Sequence, residues 1–117
     1  MPTELIDATT FAELQDNAGA EFVIELVDTF GEEAPPLIDE LRAALAEQAA
    51  ERFRRAAHSL KSNSHTFGAT ALAEMARTLE LGGMPADAAP IDALAAEFTR
   101  TLAALKALSL AGGGERG

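Results

Sequence analysis

Apolar residues recur along this chain at intervals of three and four, the period of one face of a helix, and no stretch alternates as a strand would. Thr10-Phe-Ala-Glu13 fits a capping box and opens a short helix through Leu14 that ends near Gly19. A second helix starts at about Ala20 and buries Phe22, Leu26 and Phe30, with Val23 and Val27 beside them. Gly31 and Pro35-Pro36 predict a kink or break there, because proline removes a backbone donor and crowds the preceding turn. The pattern resumes with Leu37, Leu41, Ala44 and Leu45 to about Glu47.

A third helix, from about Ala49 to Thr66, carries Phe53, Ala57, Leu60 and Ser64 as its inner stripe. Gly68 stands where a left-handed residue lets the chain leave a helix. The fourth runs from Ala69 to Leu81 with Leu72, Met75, Ala76 and Leu79 inward, and Gly82-Gly83 and Pro85 stop it. Asp87 is placed to cap a last helix, whose stripe Ile91, Leu94, Phe98, Leu102, Leu105 and Leu108 runs to about Leu108. Met1 to Leu5 offers no pattern, and the glycine-rich tail 111–117 is expected to hold no structure. The expectation is an all-α fold: one domain over residues 1–110, an antiparallel up-down-up-down four-helix bundle with a short extra N-terminal helix.

Composition agrees. The apolar residues are mostly Ala and Leu, good helix formers, with six Phe and no Trp or Tyr. No apolar run approaches the roughly 20 residues of a membrane span, and no basic leader precedes an apolar core. The absence of cysteine excludes disulfides and thiolate metal sites and fits a cytoplasmic location. Nine basic against nineteen acidic residues, a net charge of −10, argue against a nucleic-acid partner.

The distribution of charge says more than its sum. Arg54, Arg55 and Lys61 lie within eight positions around His58 in a chain that is otherwise acidic. On a helix, His58 falls on the shoulder of the inner stripe, with Lys61 and Ser62 one turn on and Arg54 and Arg55 one turn back. Imidazole offers a nucleophilic nitrogen near neutral pH, and the cations would hold an anion delivered to it. If the chain turns about Phe67, the antiparallel neighbours of His58 are Ala76, then Arg77 and Glu80. Glu80 then has two readings: it accepts a hydrogen bond from the imidazole and fixes its tautomer, or it pairs with Arg77 on its own helix. His65 lies seven residues from His58, roughly 10 Å along a helix, too far for two ligands of one ion, so no metal is expected.

The run His58-Ser59-Leu60-Lys61-Ser62, followed by Asn63-Ser64 and Gly68-Ala69, resembles the histidine-containing phosphotransfer (HPt) domain, whose motif is close to H-x-L-K-G. The chain departs from it at Ser62, where glycine is commonest, and at His65, where a small residue is usual. The resemblance implies a phosphorelay intermediate. His58 would accept a phosphoryl group from the aspartyl phosphate of a receiver domain and pass it to another receiver aspartate, with Glu80 orienting the imidazole. Lys61 is expected to assist through charge without being needed for folding, and Arg54, Arg55, Ser62 and His65 to face the phosphoryl group or the partner. No cofactor is expected on this chain; Mg²⁺ would sit on the receiver. With no nucleotide-binding glycine-rich loop, the domain cannot act as a kinase itself. Its partners would be receiver domains or a hybrid histidine kinase, approached as a monomer through the outer faces of the third and second helices and through Phe11 and Leu14 of the first. Two alternatives are a helical interaction module without phosphotransfer and the substrate domain of a chemotaxis-type kinase. Gly68 is expected to act as a helix terminator, a role in which asparagine could replace it.

Overall fold

The computed structural model describes the backbone of residues 6–114 and side chains through residue 110. Five helices follow in order, α1 (Ala8–Ala18), α2 (Ala20–Glu47), α3 (Ala50–Thr66), α4 (Thr70–Leu81) and α5 (Ala89–Gly114). The described residues are all α. The four long helices form the bundle, α3 packing on both α2 and α4 and α5 on both α2 and α4, while α1 packs against α2.

The core shows which apolar row each helix uses. On α3 the expected stripe holds, with Phe53, Ala57, Leu60 and Ser64 all buried. On α2 it is rotated. Phe22 is 51% exposed, and the buried row is Val23, Val27, Phe30, Ala34, Ile38, Leu41 and Ala44. Steps of four drift around a helix by about 40° each, so Phe22-Leu26-Phe30 cannot stay inward, whereas alternating steps of three and four can. Phe30 then packs at a tilt against Phe67 (centroids 5.1 Å apart) and meets Phe98 edge-on (5.4 Å), tying α2 to α5 and to the α3–α4 turn.

Of the kink or break expected at the prolines, the break does not occur. α2 runs unbroken through Pro35 and Pro36, both of which face solvent. Burial of Phe30 and Ala34 before them and Ile38 after them holds one face to the core and offsets the lost backbone bonds. Gly31, four residues before Pro35, lies against Leu102, whose Cδ2 would be 3.2 Å from an added Cβ. α2 ends at Gln48, a non-glycine residue with φ of 58°, as the Ala49 amide turns back to the Ala44 carbonyl at 2.8 Å.

The capping box at Thr10 is not formed. α1 opens at Ala8, and the Thr10 hydroxyl donates to Asp7 Oδ2 at 2.5 Å. The start of α1 is set by a distant contact, the Asp7 amide donating to the Gly68 carbonyl at 2.7 Å. Phe11 is buried against the core, so it is not available as a docking residue; Leu14 is half-buried. At the other end, Asp87 Oδ1 accepts the Ala89 amide at 2.9 Å, so it satisfies the first amide of α5 from one position before the cap place, while the Ala88 carbonyl accepts the first helical bond. α5 continues to Gly114, past Leu108, into the segment expected to be without structure; residues 115–117, like Met1 to Leu5, lie outside the described residues. Leu108 is 42% exposed and Thr101 is buried in the row instead.

Candidate functional site

α3 and α4 run antiparallel about a tight turn. Gly68, with φ of 73°, donates its amide to the His65 carbonyl at 3.0 Å, and the Ala69 amide reaches the Ser64 carbonyl at 2.9 Å, the paired bonds of a Schellman ending. Ala57, Ala73 and Ala76 are buried and small, which lets the two helices approach closely. The register this creates brings His58 of α3 against Glu80 of α4.

His58 Nδ1 lies 2.8 Å from Glu80 Oε2, and the other carboxylate oxygen lies 2.7 Å from Lys61 Nζ, an ion pair outside hydrogen-bond angles. The exposures differ sharply: the side chain of Glu80 is 9% exposed, that of Lys61 22% and that of His58 54%. The Lys61 ammonium holds the Glu80 carboxyl below its ordinary range, burial opposes this, and His58 adds to the lowering. Glu80 is therefore an anion near neutral pH and can only accept. The proton of a neutral His58 then sits on Nδ1, and the lone pair belongs to Nε2. Of the two sequence readings of Glu80, the structure selects the imidazole; Arg77 makes no ion pair with it.

The remaining candidates separate. Arg54 turns toward Glu51, one turn back on α3, donating through Nε at 3.3 Å and through Nη2. Arg55 is exposed and forms no ion pair among the described residues; it borders a groove between α2 and α3 with Ser59 and Leu37. Ser62 is exposed, and its carbonyl accepts the Thr66 hydroxyl at 3.2 Å. His65 is exposed in the last turn of α3 and is not brought to His58. No group of residues fit to hold a metal ion occurs among the described residues.

Sequence reasoning missed Arg52. Its guanidinium forks onto Glu40 at 2.7 and 3.0 Å and reaches Glu47 at 2.5 Å, pinning α2 to α3 behind the site. It also passed over Glu51, although the spacing Glu51–Arg54 is a legible helical ion pair.

A helical bundle with a half-exposed histidine held by a sheltered carboxylate–lysine pair defines a class, and the comparisons identify it. Residues 25–107 match the Hpt domain family. The sensor protein TorS of Escherichia coli (strain K12) is 33% identical over 102 residues, a span of 87% of this chain and 11% of TorS. The crystal structure of the histidine-containing phosphotransfer protein B (HptB) of Pseudomonas aeruginosa PAO1 superposes with a TM-score of 0.71 at 29% identity, covering 92% of this chain and 93% of that one. The chain belongs to the Hpt domain family, whose members carry out histidine phosphotransfer in phosphorelays with receiver domains and histidine kinases. No helix among the described residues is long and apolar enough to cross a membrane.

Proposed function

We propose that His58 accepts a phosphoryl group from a receiver-domain aspartyl phosphate and passes it to a second receiver aspartate. The observation that carries this reading is the His58–Glu80 contact at 2.8 Å on an imidazole that is 54% exposed. In the forward step the Nε2 lone pair forms an N–P bond as the acyl-phosphate P–O bond breaks, and that electron pair leaves on the receiver carboxylate. The ring gains positive charge, and its Nδ1 proton stays directed at Glu80, whose negative charge balances it. Return transfer reverses each step. A Mg²⁺ held by the receiver would supply charge stabilisation there, and Lys61 would add positive charge from this chain. Arg55, Ser62 and the groove between α2 and α3 offer the partner a surface next to the nucleophile.

The test is label transfer from a panel of phosphorylated receivers to the wild type and to His58→Gln. The wild type should take up acid-labile phosphate, and the variant should take up none while keeping its helical circular dichroism. Label on the variant, or label found on His65, would overturn the assignment.

A further inference from the structure

Four cations lie on α3: Arg52, Arg54, Arg55 and Lys61. Two are occupied in ways that serve the fold or the histidine. Arg52 bridges Glu40 and Glu47, and Lys61 holds the sheltered Glu80. Arg54 differs from both. Its partner, Glu51, makes no other ion pair among the described residues, and the two side chains are 49% and 64% exposed.

The helix sets this choice. Arg54 is three residues after Glu51 and four before His58, so one turn separates it from either, and its long side chain can lie along α3 in both directions. In the unphosphorylated protein it lies on Glu51. The guanidinium also feels the Glu80 carboxylate, which adds to Glu51 in raising its pKa, so it is already within electrostatic reach of the histidine's own partner. A phosphoryl group on Nε2 changes the competition. It presents three oxygens and up to two negative charges to a planar fork of donors, against a single solvated carboxylate whose hold on an exposed arginine is weak.

We propose that Arg54 is an exchangeable arm that leaves Glu51 to bind the phosphoryl group on His58, and that Glu51 thereby limits how long the group stays there. This rests on the reading of His58 as the acceptor. Glu51 is a positioning residue: it touches only the arm. A carrier must release its phosphoryl group to the next receiver, and a permanently bound guanidinium would hold it back. The Glu51 carboxylate recaptures Arg54 and keeps the group transferable.

The experiment labels the whole chain with phosphoramidate, whose P–N bond breaks to release ammonia as the histidine N–P bond forms, and follows decay of the phosphohistidine by ³¹P NMR. Glu51→Gln frees the arm and should lengthen the lifetime by about two- to fivefold, the ratio expected for an exposed ion pair. Arg54→Gln should shorten it, Arg54→Lys should retain part of the effect, and Glu51→Gln in an Arg54→Gln background should change nothing. Melting temperatures should stay level across the set, which separates an effect on the phosphoryl group from one on the fold. Equal lifetimes in all variants would overturn the proposal, as would a Glu51→Gln effect that persists without Arg54. A wild type that takes no label on His58 would overturn the acceptor assignment itself, and the arm with it; label on His58 with indifferent variants would overturn only the arm.

Discussion

Glu80 and His58 stand 22 positions apart in the chain and 2.8 Å apart in the fold, and the same carboxylate holds Lys61 at 2.7 Å. The three side chains form a chain of charge that starts in the interhelical seam and ends at a solvent-facing nitrogen. Burial rises from His58 through Lys61 to Glu80, so the carboxylate is held in place and the imidazole is open to solvent.

Glu80 should link stability to acid. Its carboxyl is held below the ordinary 4.5 by Lys61 first, with His58 adding. A depressed folded-state pKa contributes stability that is fully present above the unfolded value and lost as pH falls through the folded one. Below about pH 4.5 the wild type should therefore lose stability more steeply than Glu80→Gln, since the variant has no such carboxyl to protonate. Urea midpoints measured across this range test it, and parallel curves would remove Glu80 as a contributor. At neutral pH the same variant should transfer phosphoryl groups about tenfold more slowly, because an amide holds the imidazole without balancing its charge.

Lys61 was expected to matter for transfer alone, and its placement changes that. With its side chain 22% exposed and its ammonium on Glu80, it neutralises a carboxylate that is otherwise nearly enclosed. Lys61→Ala should slow transfer by about one to two orders of magnitude and also lower the melting temperature by a few degrees. The thermal loss should shrink when Glu80→Gln is added, because the two groups share one interaction. Additive losses would show that the pair contributes nothing to the fold.

Parts of this structure were legible from the sequence for physical reasons, and others were not. The α3 stripe could be read because Phe53 and Leu60, the only large apolar residues on a polar helix, fall on one face with Ala57 and Ser64. On α2 the choice of Val23 and Val27 over Phe22 and Leu26 was legible too, since only that row keeps step with Phe30, Ala34 and Ile38 along the helix; which partners Phe30 meets, Phe67 and Phe98, was not. Counting outward from Phe67 placed Glu80 within a turn of His58, but its choice of His58 over Arg77 depends on burial and side-chain direction. The Arg52–Glu40 clamp spans two helices and twelve positions, a distance at which sequence spacing carries no signal. Thr10 matched a capping motif, yet the helix starts three residues earlier, with Asp7 as its N-cap and the Asp7–Gly68 contact beside it.

Gln48 ends α2 with φ of 58° and is exposed, so its backbone carries left-handed strain with no side-chain packing to offset it. Gln48→Gly should raise stability by about 1 kcal/mol by removing the left-handed penalty. A denaturant midpoint that stays level or falls would mean that the flexible unfolded glycine cancels the gain.

Gly68 meets two demands at once. Its φ of 73° terminates α3, which asparagine could also do, but an added Cβ would lie 2.9 Å from Thr10 Cβ and 3.0 Å from the Asp7 carbonyl. The clearance is for α1, seated on the turn, and not for the phosphoryl group, since ten residues of helix put Gly68 about 15 Å from His58. Asparagine therefore cannot replace it cleanly. Gly68→Ala should cost about 2 kcal/mol or more, left-handed strain and displacement of α1 together. Gly68→Asn relieves part of the first term and none of the second, so it too should destabilise. Replacing Thr10 by glycine in the Gly68→Ala background should recover part of the loss relative to Thr10→Gly alone, because it removes the Cβ that the new methyl meets. Phosphotransfer by the folded fraction should stay unchanged in all of these variants. Urea melts paired with label transfer decide the matter: full stability with lost phosphate acceptance would place Gly68 in the site, and an undiminished Gly68→Asn midpoint would show that α1 yields without cost.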